Sequence, residues 1–262
     1  MSTIRNNVCE YKGLINISRM IYSKSFYILF FGLILILSSC KPEEINPPEE
    51  NHFTIQLYHN MNNKPLLGEA LDYRNEAGET FSVNKMEYYL SNFTFNENSN
   101  FSDSTAFYIN SFKTNTHHIN INLEQNIKSQ TIQSIHFNLG LAEKQNISSF
   151  LPNITENINM AWPDQMGGGY HFLKMEGNFL LSADTLGYAI HIGTNEHLIE
   201  INLNNLSIDM NRNDTIKMNV DISEIFKNPE IYSLKIGQHT MYSDSLMQII
   251  KNNAWNVFAL SQ

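Results

Sequence analysis

Phe53-Thr54-Ile55-Gln56-Leu57-Tyr58-His59 alternates apolar and polar side chains without a break. A period of two puts Phe53, Ile55, Leu57 and His59 on one face of an extended chain and Thr54, Gln56 and Tyr58 on the other, as in a strand with one side on a core. It also sets an imidazole at the end of the apolar row. Short runs rich in Ile, Phe, Tyr and Thr recur at 81–95, 105–110, 118–123, 131–138, 170–176, 187–193, 198–203, 216–222 and 231–236, with Asn, Gly and Asp crowding the joints. The long amphipathic crossover helices of a parallel sheet are missing. The expected fold is therefore all-β: an antiparallel two-sheet β-sandwich with a long glycine-rich loop and one short C-terminal helix. Ser223 to Phe226 fits a single helical turn, and Ser245 is the expected cap of the terminal helix, whose Leu246, Ile249 and Ile250 share a face.

Upstream of the strands the chain reads differently. Tyr27 to Leu37 is an unbroken run of apolar residues and glycine, preceded by Lys24 and followed by Ser38, Ser39 and Cys40. The run is shorter than the ~20 residues of a membrane-spanning helix and fits the apolar core of a signal peptide. Leu37-Ser38-Ser39-Cys40 resembles a bacterial lipobox, which implies cleavage before Cys40 and acylation of its thiol. The expected organisation is a signal peptide over 1–39, with Met20 a simpler start than Met1, a lipidated Pro- and Glu-rich tether over 40–51, and one domain over 52–262. Lys41-Pro42-Glu43-Glu44 resembles a surface-export signal, so the expected place is the outer membrane, on its periplasmic side or at the cell surface.

Removing residues 1–39, with their four basic and one acidic residue, from the 17 basic and 26 acidic residues of the whole chain leaves a formal charge of −12. Such a surface disfavours nucleic acid, whose binding rests on neutralising phosphates, and gains nothing from an anionic bilayer. Membrane contact is expected through the lipid on Cys40. With Cys9 ahead of the cleavage point and Cys40 acylated, the mature domain has no thiol for a disulfide, a nucleophile or a thiolate metal site.

Two features carry the chemistry. The first is the stretch from Gly140 to Gly169, which has little periodicity, exceeds the ~15 residues of an ordinary loop, and holds Met160, Trp162, Met166 and three consecutive glycines that admit positive φ. The second is the set of nine histidines, all downstream of Cys40. In Tyr170-His171-Phe172-Leu173-Lys174-Met175-Glu176 the alternation sets His171 with Leu173 and Met175, opposite Lys174 and Glu176. If this strand pairs with Tyr188 to Gly193 across the connection 177–187, His171 and His191 become neighbours. A buried imidazole there needs a hydrogen bond or a metal. His239-Thr240-Met241 adds an imidazole and a thioether, donors that hold Cu(I) without thiolates. His117 and His118 are adjacent and point to opposite faces, which rules out joint chelation in a regular strand. No Gly-x-Ser-x-Gly elbow, phosphate-binding glycine loop or His-Glu-x-x-His helix is present, so an enzyme is not expected.

Several dispersed motifs in order carry a family resemblance: Phe53 to His59; Phe81-Ser-Val-Asn-Lys-Met-Glu-Tyr-Tyr-Leu-Ser-Asn92; Ile135-His-Phe-Asn-Leu-Gly140; Met160-Ala-Trp162 leading to Gly169-Tyr-His-Phe-Leu-Lys-Met-Glu-Gly177; His191-Ile-Gly193; and His239-Thr-Met241 followed by Ile250 to Phe258. Together they resemble the MbnP-like family of copper-binding envelope proteins, the methanobactin-associated and CorA-related domains. The resemblance implies a β-sandwich that holds copper through histidines. In some members it also implies a tryptophan near the metal oxidised by a partner dihaem enzyme of the cytochrome c peroxidase and MauG kind. Trp162 stands at the matching position, while Asp164 stands where the family often has a second tryptophan. The expected metal ligands are drawn from His59, His171, His191, His239 and Met241, in a lipid-anchored protein for copper acquisition or storage. The competing expectation is a non-metal binding or scaffolding lipoprotein that recognises a glycan, a peptide or an envelope protein through an aromatic surface of Tyr88, Tyr89, Tyr170 and Trp162.

Overall fold

The protein is described from a computed structural model, which covers residues 51–66, 68, 70–111 and 114–261. The expected signal peptide, the start at Met20, lipidated Cys40 and nearly all of the tether lie outside those residues. Among them, no helix is long and apolar enough to cross a membrane.

The strands of three or more residues are β1 (His52–Met61), β2 (Lys85–Phe95), β3 (Asn98–Asp103), β4 (Phe107–Asn110), β5 (Thr116–Asn122), β6 (Ile135–Leu139), β7 (His171–Leu181), β8 (Asp184–Gly193), β9 (Ile199–Leu203), β10 (Thr215–Asp221) and β11 (Phe258–Leu260). One sheet joins β11, β10 and β1, with β5 on β1. The other runs β9, β6, β2, β7, with β8 on β7 and with β3 and β4 on β2. Pairing is antiparallel except between β1 and β10, which run parallel from Thr54 beside Thr215 to Asn60 beside Asp221.

The alternation in β1 does what its period dictates: Phe53, Ile55, Leu57, His59 and Met61 are all buried. Phe53 meets Phe95 of the other sheet edge-on at 5.1 Å, and Phe137 stacks on Phe93 at 4.8 Å while meeting Phe258 edge-on at 5.0 Å. Each such ring taken from water contributes roughly 1.5–3 kcal/mol, and the Phe53–Phe95 and Phe137–Phe258 contacts clamp the sheets face to face.

Two expected elements differ in instructive ways. The apolar run 231–236 forms turns, because its backbone donors find a carboxylate instead of a neighbouring strand. Glu79 accepts from the amides of Leu234 at 2.7 Å and Lys235 at 2.9 Å and from the Ser233 hydroxyl at 2.7 Å. The terminal helix α2 (Asp244–Asn253) is capped by Ser243 rather than Ser245, with Ser243 Oγ accepting from Leu246 N and Asp244 in the first turn. Met247 and Ile250 are its buried residues beside Asn253. The turn at Ser223 is present as a 3₁₀ segment, Ile222–Phe226.

The long stretch after β6 is ordered by polar ties rather than by a ladder. It contains the short helix α1 (Thr155–Asn159), which the sequence pattern did not announce, and a 3₁₀ turn at Asp164–Met166. Gly167, Gly168 and Gly169 all have positive φ. A Cβ on Gly169 would also strike the Asn146 side chain, whose Oδ1 accepts from Tyr170 N at 2.8 Å. Glycine is required there both for the backbone angle and for the space.

Candidate metal centre

The hairpin β7–β8 builds the site. Its turn is only Ser182 and Ala183, far tighter than the expected connection, so the two strands stay in register along their length. From Leu181 back to Leu173 the pairing is regular, with Glu176 opposite Ala189 and Lys174 opposite His191. Between Leu173 and His171 it slips by one residue, and His171 pairs with Gly193. A single-residue slip exchanges the faces of a strand. Leu173 and Met175 go to the core, and His171 joins His191, Lys174 and Glu176 on the other side. The simple alternation that grouped His171 with Leu173 and Met175 is thus corrected by a bulge.

That bulge brings the two imidazoles together, with ring centroids 5.0 Å apart and planes perpendicular. Trp162 lies edge-on to His171 at 4.7 Å and packs over Gly193, where any Cβ would drive into the six-membered ring. The loop holds this indole by its backbone: Trp162 N donates to Gly169 O at 2.9 Å, His171 N donates to Met160 O at 2.7 Å, and indole Nε1 donates to Met166 O at 3.2 Å. Beside it, Phe150, Ile158, Trp162, Asp164 and Tyr170 line an open hollow of about 830 Å³.

Each imidazole has one nitrogen tied down. His171 Nδ1 faces Met160 O at 3.2 Å, and its Nε2 is buried with no hydrogen-bond partner. A carbonyl only accepts, so Nδ1 carries the proton and Nε2 the lone pair. His191 Nε2 lies 2.9 Å from Glu176 Oε1. This hydrogen bond, assisted by Lys85 3.9 Å away, holds the Glu176 carboxyl down to about 2, although its partial burial acts the other way. The backbone of His191 is clamped as well: its N–H donates to Thr240 Oγ1 at 2.7 Å, and the same hydroxyl donates to His191 O at 2.5 Å. Burial, then the neighbouring His191, lowers the His171 pKa to about 4, so the ring is neutral at physiological pH. Burial likewise lowers Lys174, whose Nζ donates to Asn159 O at 3.1 Å.

The other expected ligands are not gathered there. His59 stands on β1 with both nitrogens engaged, Nδ1 on Asn115 O at 3.1 Å and Nε2 on the Tyr88 hydroxyl at 2.6 Å. Burial lowers its pKa to about 4. His239 is exposed; its backbone bridges Ala189, two residues before His191. Met241 packs against the core. The four aromatic residues expected to form a surface are all buried: Tyr88, Tyr89, Tyr170 and Trp162 expose at most 3% of their area. Among the described residues, no group of three or more His, Cys, Asp or Glu side chains is arranged to hold a metal.

The family model described as MbnP matches residues 50–244. The chain belongs to the MbnP family. The match to the MbnP model takes in the histidine hairpin, Trp162 and Thr240, and stops at the first residue of α2. Among solved structures, MbnP from Methylosinus trichosporium is similar at 10% identity with a TM-score of 0.45, over 69% of this chain and 78% of that one. Curated proteins give no match.

Sequence reasoning missed Glu176 and Thr240 as partners of His191. Glu176 looked like an outward strand residue, and only the hairpin register shows that it lies diagonal to His191. Thr240 stood between two better-looking donors and acts through its hydroxyl on the backbone of His191.

Proposed function

We propose that this MbnP-family domain holds copper between His171 and His191, with Trp162 packed against the pair. The observation that carries the reading is the buried, unpartnered Nε2 of His171. A buried polar atom without a partner costs about 1–3 kcal/mol, a cost that coordination of a metal removes. Family membership and the tied opposite nitrogens support it. A ligating histidine commonly donates its other ring N–H to a carbonyl or carboxylate, and here Met160 O and Glu176 are those acceptors. The donors left are then His171 Nε2, on a ring that burial keeps neutral, and His191 Nδ1.

The donor chemistry favours copper over structural zinc. Zinc in structural sites takes four ligands in a tetrahedron, whereas Cu(I) accepts two nitrogen donors. With no thiolate in the mature domain, imidazole is the donor on hand. We place the protein in the cell envelope, attached by lipid on Cys40, in copper acquisition or storage and without catalysis. A dihaem oxidase of the MauG kind is a candidate partner, but Asp164 in place of a second tryptophan leads us to expect Trp162 unmodified or only partly modified.

Metal analysis of protein purified from its native envelope tests the reading. Copper near one equivalent is expected; protein that carries none and fails to take up Cu(I) when it is supplied would remove the proposal.

A second reading, contact with another envelope protein, is favoured by one observation. Ile147, Phe150, Ile154 and Ile158 are each at least half exposed on the same loop. Binding of that kind would be indifferent to a strong chelator, which separates the two readings.

A further inference from the structure

The chain has two tryptophans, and they are treated oppositely. Trp162 is 2% exposed, whereas Trp255 is 61% exposed. Trp255 sits on the 3₁₀ turn Ala254–Asn256 that follows α2, and it is held in place because Ala254, Val257 and Phe258 around it are buried. The largest apolar side chain available is thus kept in water on a firmly anchored turn, against the usual tendency of tryptophan to be buried.

What surrounds it is polar and arranged. The hollow beside Trp255 has a volume of about 450 Å³ and includes Glu200, Asn202, Lys251 and Asn252. A second hollow of about 440 Å³ shares Glu200 and Asn202 and continues over His136 and Asn138. The two therefore form one groove across β9 and β6. The register explains its lining: His136 pairs with Asn202 and Asn138 with Glu200, while the intervening Phe137 and Ile201 point into the core.

Two amides in this groove are oriented by their own neighbours. Asn202 Oδ1 lies 2.5 Å from His136 Nδ1, and Asn252 Oδ1 accepts from Gln248 Nε2 at 2.7 Å. With each oxygen occupied, both residues retain their NH₂ groups as donors, and the Glu200 carboxylate supplies an acceptor between them.

We propose that this groove binds a neutral oligosaccharide, with the Trp255 indole stacked on the apolar face of one sugar ring and Asn202, Asn252 and Glu200 hydrogen-bonded to its hydroxyls and those of its neighbour. A flat apolar platform beside alternating donors and acceptors matches the two kinds of surface a pyranose presents. A nucleic acid would require a basic groove, whereas here Lys144 and Lys251 stand with Asp103 and Glu200, and Lys251 donates to Glu196 O at 2.7 Å. A protein partner would require an apolar centre larger than one ring. The site is built on other strands than the histidine hairpin, β9 and β6, and does not rest on the copper reading.

The two tryptophans make a direct test. The tag-free domain is titrated with soluble hexasaccharides of β-1,4-glucan, chitin, xylan and mannan while the indole emission is followed. At least one probe should bind saturably in the millimolar range or tighter and shift the emission to the blue, with no change on adding a copper or zinc chelator. Trp255→Ala should weaken binding by about tenfold or more, the scale of one aromatic contact. Asn202→Ala should weaken it severalfold, both variants keeping the circular dichroism of the parent. If no probe binds at millimolar concentration, the proposal is overturned; binding that survives both substitutions, or that a chelator abolishes, overturns it equally.

Discussion

His59 and His171 are nearly twins by the usual measures and opposites by hydrogen bonding. Both are buried, and desolvation brings both to a pKa of about 4. Yet His59 gives one nitrogen to Asn115 O and the other to Tyr88, while His171 gives one to Met160 O and leaves the other bare. The difference teaches that burial and a shifted pKa do not mark a ligand. The uncommitted lone pair does, because it is the one feature that the folded chain alone does not satisfy.

The largest contrast is expected in stability. His59→Ala removes a packed interior ring and both its hydrogen bonds, leaves the Tyr88 hydroxyl unpaired in the core, and should cost about 3 kcal/mol in chemical denaturation of the metal-free domain. His171→Ala deletes an unsatisfied nitrogen along with some packing and should cost about 1 kcal/mol. Equal losses would erase the distinction. Next comes the anchor of His191. Glu176→Leu frees Nε2 and should weaken Cu(I) binding by roughly 10–100-fold, with Glu176→Gln, which still accepts a hydrogen bond, falling between. Nitrogen-detected NMR of the metal-free protein should show His191 protonated on Nε2 in the parent and a mixture of tautomers in the leucine variant. A smaller effect belongs to the Trp162 support: Gly193→Ala pushes a methyl group into the indole and should cost about 1–2 kcal/mol with a shift in buried tryptophan emission. The smallest is a pH effect at His59. Its folded pKa of about 4 lies below the usual 6.5, so the unfolded chain takes up the proton first. The stability is fully present above about pH 6.5 and is lost as the pH falls towards 4, by on the order of 1 kcal/mol at pH 6. His59→Ala should flatten that part of the curve.

The same contrast explains what could be read from the sequence. Alternation in β1 was enough to place His59 inside, since period two and one buried face leave no other register. The core strands, the glycine run and the nearness of His171 to His191 were legible for the same local reason. The bulge at His171 was not, because a one-residue slip is decided by how Trp162 and Gly193 pack across the hairpin. Nor was the turn structure of 231–236, where the carboxylate of Glu79, 155 residues before Leu234, takes the backbone donors. Whether an imidazole is satisfied depends on residues such as Asn115, Met160 and Glu176 that no motif picks out. The sequence therefore named five candidate metal donors, and the fold brings two of them, His171 and His191, together edge-on.

The most direct test is a competition titration of Cu(I) against a chromophoric chelator, run side by side on the parent domain, His171→Ala and His59→Ala. The parent and His59→Ala should each take up one equivalent with similar affinity, and His171→Ala should take up none in the same range. Retention of copper by His171→Ala, or its loss from a folded His59→Ala, would contradict the account.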